Sequence, residues 1–406
     1  MNSVRRNLGV RTPWENGVDD EQFVERARAH APALRERARK CEELRRIPDE
    51  TMAAFRADGL TRALQPRRFG GLELNPWTFY RAVMEVGAAC PSSAWVLGVL
   101  GTHAWQLALF PERAQRDVWE GAGEALISSS YMPAGHVEPV EGGFRLSGRW
   151  PFSSGCDHSN WVFLGGIVPG AQSELDLRTF LVPRSDYQIH DDWHVAGLCG
   201  TGSKQIVVES AFVPEHRTHR FKDAFALRNP GQDLNEGPIY RLPFGSVFAS
   251  VLAAPAIGAA EGALDCYRAQ ARGRMAAAEK AGEDAFIHVR LTDAAAELDA
   301  ARLALERDWR QLMALADAGQ GVPFAPRVRV RQNAVRAVTR SMNVVDRVFE
   351  ASGGRSIYLD NPMQRFFRDI HAMRVHAFNN PEKAGRLFGR FDLAEDKNAN
   401  PGDILI

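Results

Sequence analysis

The sequence predicts a mostly helical α+β fold in three successive parts. A helical region comes first, a compact all-β region follows, and a long helical bundle closes the chain. Three observations carry this. Apolar residues recur at helical spacing through the first 120 positions. Between about 125 and 216, short β-branched and aromatic runs alternate with Gly and Pro punctuation. From Pro243 the helical period returns and persists. The expected boundaries are 1–124, 125–220 and 221–406. A length of 406 residues, at about 150 per domain, leaves room for two or three domains.

The first sixteen residues are polar and read as a loose lead-in. From Asp19, Phe23, Ala27, Ala31 and Leu34 keep one helical face among Arg and Glu. Pro48-Asp49-Glu50 opens a second helix, with Pro in the first turn and acids at the positive dipole end, and Asp58-Gly59 stops it. Phe69-Gly70-Gly71 is a turn. Asn75-Pro76 starts a helix through Val86, and Pro91-Ser92-Ser93 starts a markedly apolar one, Ala94 to Phe110. The β region begins at Ala125-Leu126-Ile127, turns at Gly142-Gly143, and continues through Trp161–Gly165, Thr179–Pro183 and Gln205–Glu209, a spacing that predicts a sandwich or barrel. The later helices are expected over 245–280, 285–318, 324–352 and 362–376, and Ser352-Gly353-Gly354 ends one of them as a helix C-terminus should.

Composition excludes several classes. Fifty basic and fifty acidic side chains cancel, whereas nucleic acid and anionic membrane surfaces reward a cationic surplus. No uninterrupted apolar run approaches 18 residues, so no membrane span is expected. Arg5-Arg6 precede no apolar h-region, so no signal peptide is expected. Five widely spaced cysteines without CxxC suggest neither zinc nor a disulfide framework and fit a reducing cytoplasm. HExxH is absent, and His371 and His376 stand about 140° apart around a helix, so no shared metal is expected.

Phosphate-loop and nucleophile-elbow motifs are also missing. Gly197-x-x-Gly200-x-Gly202 is glycine-dense, but it lies among strands and opens no helix. Ser128-Ser129-Ser130-Tyr131 and Ser153-Ser154-Gly155 sit where strands begin or end. They read either as capped turns or as donors and acceptors facing a polar ring. His103, in an otherwise apolar helix, reads either as a satisfied core histidine or as a neutral base in a dry pocket. His376, near a helix end, reads either as a dipole partner or as a site residue. Pattern alone leaves each pair open.

Several separated blocks then fit one family together. They are Pro91-Ser92-Ser93-Ala94-Trp95, Ile127–Tyr131, Phe152–His158, Gly197–Ser203, Glu350–Gly354, and Gln364–Asp369 through His376-Ala377. In order and spacing the chain resembles the oxygenase components of two-component, reduced-flavin-dependent monooxygenases, which share the acyl-CoA dehydrogenase fold. Within that family it is most similar to hydroxylases of secosteroid phenols, and further from the para-hydroxyphenylacetate hydroxylase oxygenases and indole oxygenases. The resemblance spans about Arg45 to Asp403.

The resemblance implies an N-terminal helical domain, a central β-domain, a C-terminal four-helix bundle, and a homotetramer in which a neighbour helps close the site. It implies reduced FAD or FMN, diffusible and supplied by a separate NAD(P)H flavin reductase. Dioxygen is the co-substrate, and a flavin C4a-hydroperoxide hydroxylates a small aromatic. It places flavin contacts at Trp95, Ser129, Ser130, Tyr131, Phe152, Ser153, Ser154, Gly354, Arg355, His376 and Ala377, with Arg274 reaching a flavin phosphate across subunits. His103, His376 and Ser154 are the implied catalytic residues. His136, His158 and His371 stay structural. Phe152 stands where the nearest relatives have Trp, and Cys199 where relatives often carry Arg.

Two other classes compete. A true acyl-CoA dehydrogenase needs a carboxylate base, and neither His376–Asn380 nor the neighbourhood of Phe248 supplies one. A non-catalytic flavin-binding or structural bundle leaves the clustered polar residues without a task. Trp105, Met132, Phe248 and Phe378, taken as facing the pocket, suggest a sizeable aromatic substrate: a phenol, a secosteroid phenol, an indole or a polyketide.

Overall fold

The computed structural model describes residues 19–120, 125–170, 175–235, 237–277 and 285–393, with the backbone alone over 274–277 and at 285. The first helical run is split into α1 (Asp20–Ala29) and α2 (Ala31–Leu44), because Pro32 fits only a first turn. Pro48 caps α3 (Asp49–Ala57) instead of entering it. Asn75 caps α4 (Pro76–Gly87) by accepting the Trp77 amide at 2.9 Å. Next come α5 (Pro91–Leu107), which ends three residues sooner than expected, and α6 (Glu112–Trp119), which follows Pro111.

All seventeen residues of α5 are buried. A helix that is apolar all round must be surrounded. It packs on α4, on the first strand, on the loop before Ser203, and on the bundle helix that starts at Phe244. Trp95, Val99, His103 and Gln106 lie along one stripe of it, at i, i+4, i+8 and i+11. One helix thereby presents a ring N–H, an imidazole and an amide toward the β-domain.

The strands are β1 (Ile127–Val140), β2 (Gly143–Ser153), β3 (Trp161–Val168), β4 (Asp176–Pro183), β5 (Gln188–His190), β6 (Lys204–Pro214) and β7 (Thr218–Arg220). They form one seven-stranded mixed sheet in the order β5-β6-β2-β1-β3-β4-β7. The first half of β1 pairs parallel with β3 and its second half antiparallel with β2, with a register shift between Ser130 and Gly135. The sheet folds on itself there, and the two halves share one core that includes Phe144, Leu146, Trp150, Val162, Phe180 and Ile206. The Phe144 and Phe180 rings meet edge to face across it at 5.6 Å. The predicted sandwich is thus a single folded sheet. The serines of β1 and β2 lie at its helix-facing edge.

The chain continues through α7 (Phe221–Ala226) into α8 (Phe244–Ala277), α9 (Ala285–Asp317), α10 (Phe324–Ala351) and α11 (Pro362–Arg374), the four bundle helices, and α12 (Pro381–Leu393) packs on α10. The bundle and the N-terminal helices share one continuous core. A Cβ at Gly258 would stand 2.2 Å from the Met84 carbonyl, so glycine permits the close crossing of α8 and α4. Over Phe244–Gly273, α8 is long and apolar enough to cross a membrane, yet 94% of its most apolar window is buried inside the protein. The criterion of an uninterrupted run overlooks it because Ser246, Ser250 and Glu261 break the run.

Candidate active site

Most of the predicted residues converge where α5, the β1–β2 edge, the start of α8 and the turn after α11 meet. On the β side a chain of hydroxyls is fully engaged. The Trp95 indole donates to Ser154 Oγ at 3.1 Å, Ser154 and Ser203 hydroxyls meet at 2.7 Å, and Ser203 meets Thr201 Oγ1 at 2.7 Å. Thr201 donates to the Leu198 carbonyl at 2.8 Å. Ser153 donates to Ser128 Oγ at 3.0 Å and Ser130 to the Pro151 carbonyl at 2.7 Å. Ser129 is half-buried beside Tyr131. Phe152 turns this corner in the left-handed region, at φ 66°, with its ring exposed against Trp193. A non-glycine residue there is strained, and the serines on either side of the corner hold it.

The glycine-rich loop of 197–202 serves this chain by close packing. A Cβ at Gly200 would stand 2.2 Å from Cys41 Sγ, and one at Gly197 would stand 2.2 Å from the Arg368 carbonyl. The loop therefore sits flush on α2 and α11 and delivers Thr201 and Ser203. Cys199, half-buried, donates to the Val195 carbonyl at 3.0 Å and faces Arg368.

On the helical side, His103 is 1% exposed. Its Nδ1 donates to the Ile127 carbonyl at 2.6 Å, which fixes the tautomer, and its Nε2 is buried with no hydrogen-bond partner among the described residues. Burial pushes its pKa down to about 4, so the ring is neutral at physiological pH and presents a bare lone pair. The Tyr131 ring meets it edge to face at 6.0 Å, and the Phe163 ring at 5.8 Å. The Tyr131 hydroxyl donates to Gln106 Oε1, and burial raises its pKa well above the usual phenol value.

His376 lies with its ring 5.7 Å from Trp95 and 6.4 Å from Phe248. Its Nδ1 accepts the Phe378 amide at 3.2 Å. Burial, and secondarily the nearby Arg331 charge, lower its pKa to about 4. Phe221, Phe244, Phe248 and Phe378 complete an aromatic wall around Tyr131.

Other predicted residues lie elsewhere. Ala377 is exposed in the turn beside His376. Gly354 and Arg355 are exposed in a turn after α10, where Arg355 pairs with Asp360 at 2.8 Å. No hydrogen bond or ring contact among the described residues joins them to Trp95 or His103. Arg274 is in α8, but its side chain lies outside the described residues. Trp105 is core: its indole donates to the Ile239 carbonyl at 2.8 Å. Met132 is 46% exposed. His371 pairs with Asp346 at 2.9 Å and His158 with the Ile47 carbonyl at 2.8 Å, while His136 is exposed. Sequence reasoning missed Gln106, Thr201, Ser203 and Arg331. Gln106 carried a signal, as a polar side chain three residues after His103 in an apolar helix.

The donor set fits a flavin. A planar ring with one polar and one apolar edge needs hydroxyls along one side and aromatic carbon along the other. The Trp95–Ser154–Ser203 chain and the wall around Phe248 supply these. No carboxylate stands at Phe248 or in His376–Asn380, where an α-proton base would be needed.

Comparison with known proteins agrees. The acyl-CoA dehydrogenase N-terminal domain matches residues 18–120 and the acyl-CoA dehydrogenase C-terminal domain matches residues 250–381. The fold is therefore of the acyl-CoA dehydrogenase class. The chain is 44% identical over 376 residues to the flavin-dependent monooxygenase oxygenase subunit HsaA of Rhodococcus jostii (strain RHA1), covering 90% of this chain and 97% of that one. It is 37% identical over 382 residues to the FADH(2)-dependent resorcinol hydroxylase oxygenase component of Rhizobium sp. (strain MTP-10005), covering 91% and 93%. The crystal structure of 3-HSA hydroxylase from Rhodococcus sp. RHA1 superposes with a TM-score of 0.91 at 42% identity, covering 94% of this chain and all of that one. The chain belongs to the oxygenase components of flavin-dependent monooxygenases. It is an oxidoreductase that works with reduced flavin and dioxygen.

Proposed function

We propose that this chain hydroxylates a sizeable phenol, of the secosteroid kind, at the ring carbon ortho to its hydroxyl, with His103 as the proton acceptor. The carrying observation is His103 Nε2, a buried lone pair with no hydrogen-bond partner among the described residues and with its tautomer fixed from behind. The similarity to HsaA and to resorcinol hydroxylase supports a phenolic substrate. Trp95, Ser130, Ser154 and His376 would hold the flavin ring. When bound, reduced flavin supplies the activation of dioxygen that lets one oxygen atom reach the aromatic ring.

The chain's own residues do the rest. His103 accepts a hydrogen bond from the phenol O–H. An imidazole this weakly basic holds no full proton in the resting site, and it takes the phenol proton as the ring's electrons move toward the incoming oxygen. That proton acceptance makes the ring carbon a better nucleophile. Tyr131, locked on Gln106, and Phe163 fix the His103 plane. The aromatic wall excludes water, which protects reactive oxygen species from release as peroxide. His376 meets the Trp95 ring and Ser154 accepts its N–H, and both serve as hydrogen-bonding groups toward the flavin edge.

The same reading gives the chain a separate NAD(P)H flavin reductase, a homotetrameric state and a cytoplasmic setting. The exposed apolar run Ile357, Tyr358 and Leu359 supports the tetramer, since it adjoins Gly354 and Arg355 and would carry them to a neighbouring subunit. The five free cysteines are consistent with a reducing compartment. The test is a panel of phenols and indoles with a generic flavin reductase, scored by product mass and regiochemistry. Catechol products from phenols are expected. Turnover of indoles alone would replace the phenol reading.

A further inference from the structure

Beyond the aromatic wall, the start of α8 opens onto a narrow cleft. Its lining is apolar, from Phe221, Phe244, Phe324 and Phe378 among others, with three polar exceptions, Arg327, Arg331 and Ser246. Arg327 is spoken for: it donates to the Val322 carbonyl at 2.9 Å and to the Phe225 carbonyl at 2.6 Å. Arg331 is 6% exposed, and neither Nη1 nor Nη2 has a hydrogen-bond partner among the described residues. Ser246 is 2% exposed, and its Oγ has none either. A buried guanidinium with empty donors is costly unless something fills them. Here the two vacant groups face one cleft, at the first turn of a 34-residue helix whose positive dipole end favours an anion.

A run of packed rings links the cleft to the proposed reaction site. The Arg331 guanidinium lies 4.1 Å over the Phe378 ring, the Phe378 ring meets Phe248 at 5.0 Å, and Phe248 meets Tyr131 at 5.4 Å. Arg331 also bears on His376 electrostatically.

We propose that Arg331 and Ser246 form a carboxylate-binding subsite, and that the phenol this enzyme hydroxylates carries an arm ending in a carboxylate. This rests on the phenol reading above and narrows it. The forked guanidinium matches the two oxygens of a carboxylate, and Ser246 Oγ adds a third donor. The wall of Phe244, Phe248 and Phe378 takes the hydrocarbon between the two ends. A neutral, purely ketonic arm leaves the guanidinium charge unpaired.

The test uses the full-length protein with para-hydroxyphenylpropanoate, its longer-chain homologues, and their methyl esters. Calorimetric titration without reductase measures binding, and kcat/KM with a flavin reductase measures turnover. For the best chain length, the acid is expected to bind and turn over at least about tenfold better than the ester. That ratio should fall toward one in Arg331→Met and fall by about threefold in Ser246→Ala, which perturbs the core less. Equal values for acid and ester in the unaltered protein, or an unchanged ratio in Arg331→Met, overturn the subsite while the hydroxylase reading stands. Preferential binding of the acid without hydroxylation of any phenol overturns the hydroxylase reading and leaves the subsite.

Discussion

The two sides of the site differ in how their polar groups are satisfied. On the β side, Trp95, Ser154, Ser203, Thr201, Ser153 and Ser130 are all hydrogen-bonded to one another or to backbone. On the helical side, His103 Nε2, both Arg331 terminal nitrogens and Ser246 Oγ are buried without hydrogen-bond partners among the described residues. Buried polar atoms are nearly always paired, so Arg331 and Ser246, unpaired on one cleft, and His103, unpaired across the aromatic wall from it, mark places built for something else. The contrast separates frame from acceptor. The hydroxyl chain holds a rigid edge, and the orphans await the molecule that reacts.

Breaking the helical side should produce the largest effect. His103→Asn removes the lone pair at Nε2, and hydroxylation is expected to fall by about a hundredfold or more while reduced flavin still consumes oxygen. Product and peroxide measured together check this, and normal coupling in the variant would remove His103 from the chemistry. On the β side the cost should fall on stability. Ser154→Ala strands the Trp95 indole and leaves Ser203 with Thr201 alone, an expected loss of about 1–3 kcal/mol in urea unfolding, with weaker reduced-flavin binding. Ser153→Ala breaks one bond to Ser128 and should cost about 1 kcal/mol.

A third prediction uses Asp369, which is fully buried beneath the loop of 197–202 and accepts the Leu198 amide at 2.6 Å. Burial raises its pKa from 3.8 to about 7. The unfolded chain ionises this carboxyl near pH 4, whereas the folded one keeps its proton until about pH 7. The protonated group's contribution is thus present at low pH and lost as pH rises through that window. Asp369→Asn keeps the acceptor and cannot ionise. Its stability relative to the unaltered protein should rise with pH, by on the order of 1 kcal/mol per unit. A pH-independent difference would show that Asp369 is already ionised in the folded state.

His103 behaves oppositely. With its folded pKa near 4, it stays neutral down to that value while the unfolded ring protonates near 6.5. Single-turnover hydroxylation should therefore show no acid limb from this group between pH 6 and 8. A limb near 6.5 would mean the pocket is wet. The smallest effect is expected at Arg355, whose ion pair with Asp360 is two-thirds exposed. Arg355→Ala should change stability by about 0–1 kcal/mol. A loss of flavin affinity in that variant would instead assign Arg355 to a neighbour's site.

Much of this was legible in the sequence. The four bundle helices lie within a few residues of their expected spans, because long amphipathic or uniformly apolar segments broadcast their period. The serine clusters and both histidines were visible as polar residues in apolar or strand-end settings. The shorter α6, α7 and α12 were not, since a helix of two or three turns carries too few repeats. The single folded sheet was also hidden, because a strand shared between two half-sheets looks like any other strand. Arg331 was invisible for a different reason. It sits among many arginines in α10, and only the three-dimensional structure separates it, buried with unpaired terminal nitrogens, from Arg327 and Arg329, which have partners.

The most direct test is oxygen labelling in a single turnover. The protein is loaded with reduced flavin and a phenol, then mixed with labelled dioxygen, and the product is weighed. One labelled oxygen at the carbon ortho to the original hydroxyl is the expected result, lost in His103→Asn in favour of labelled peroxide. Unlabelled product, or peroxide alone from the unaltered protein with every phenol tried, would contradict the account.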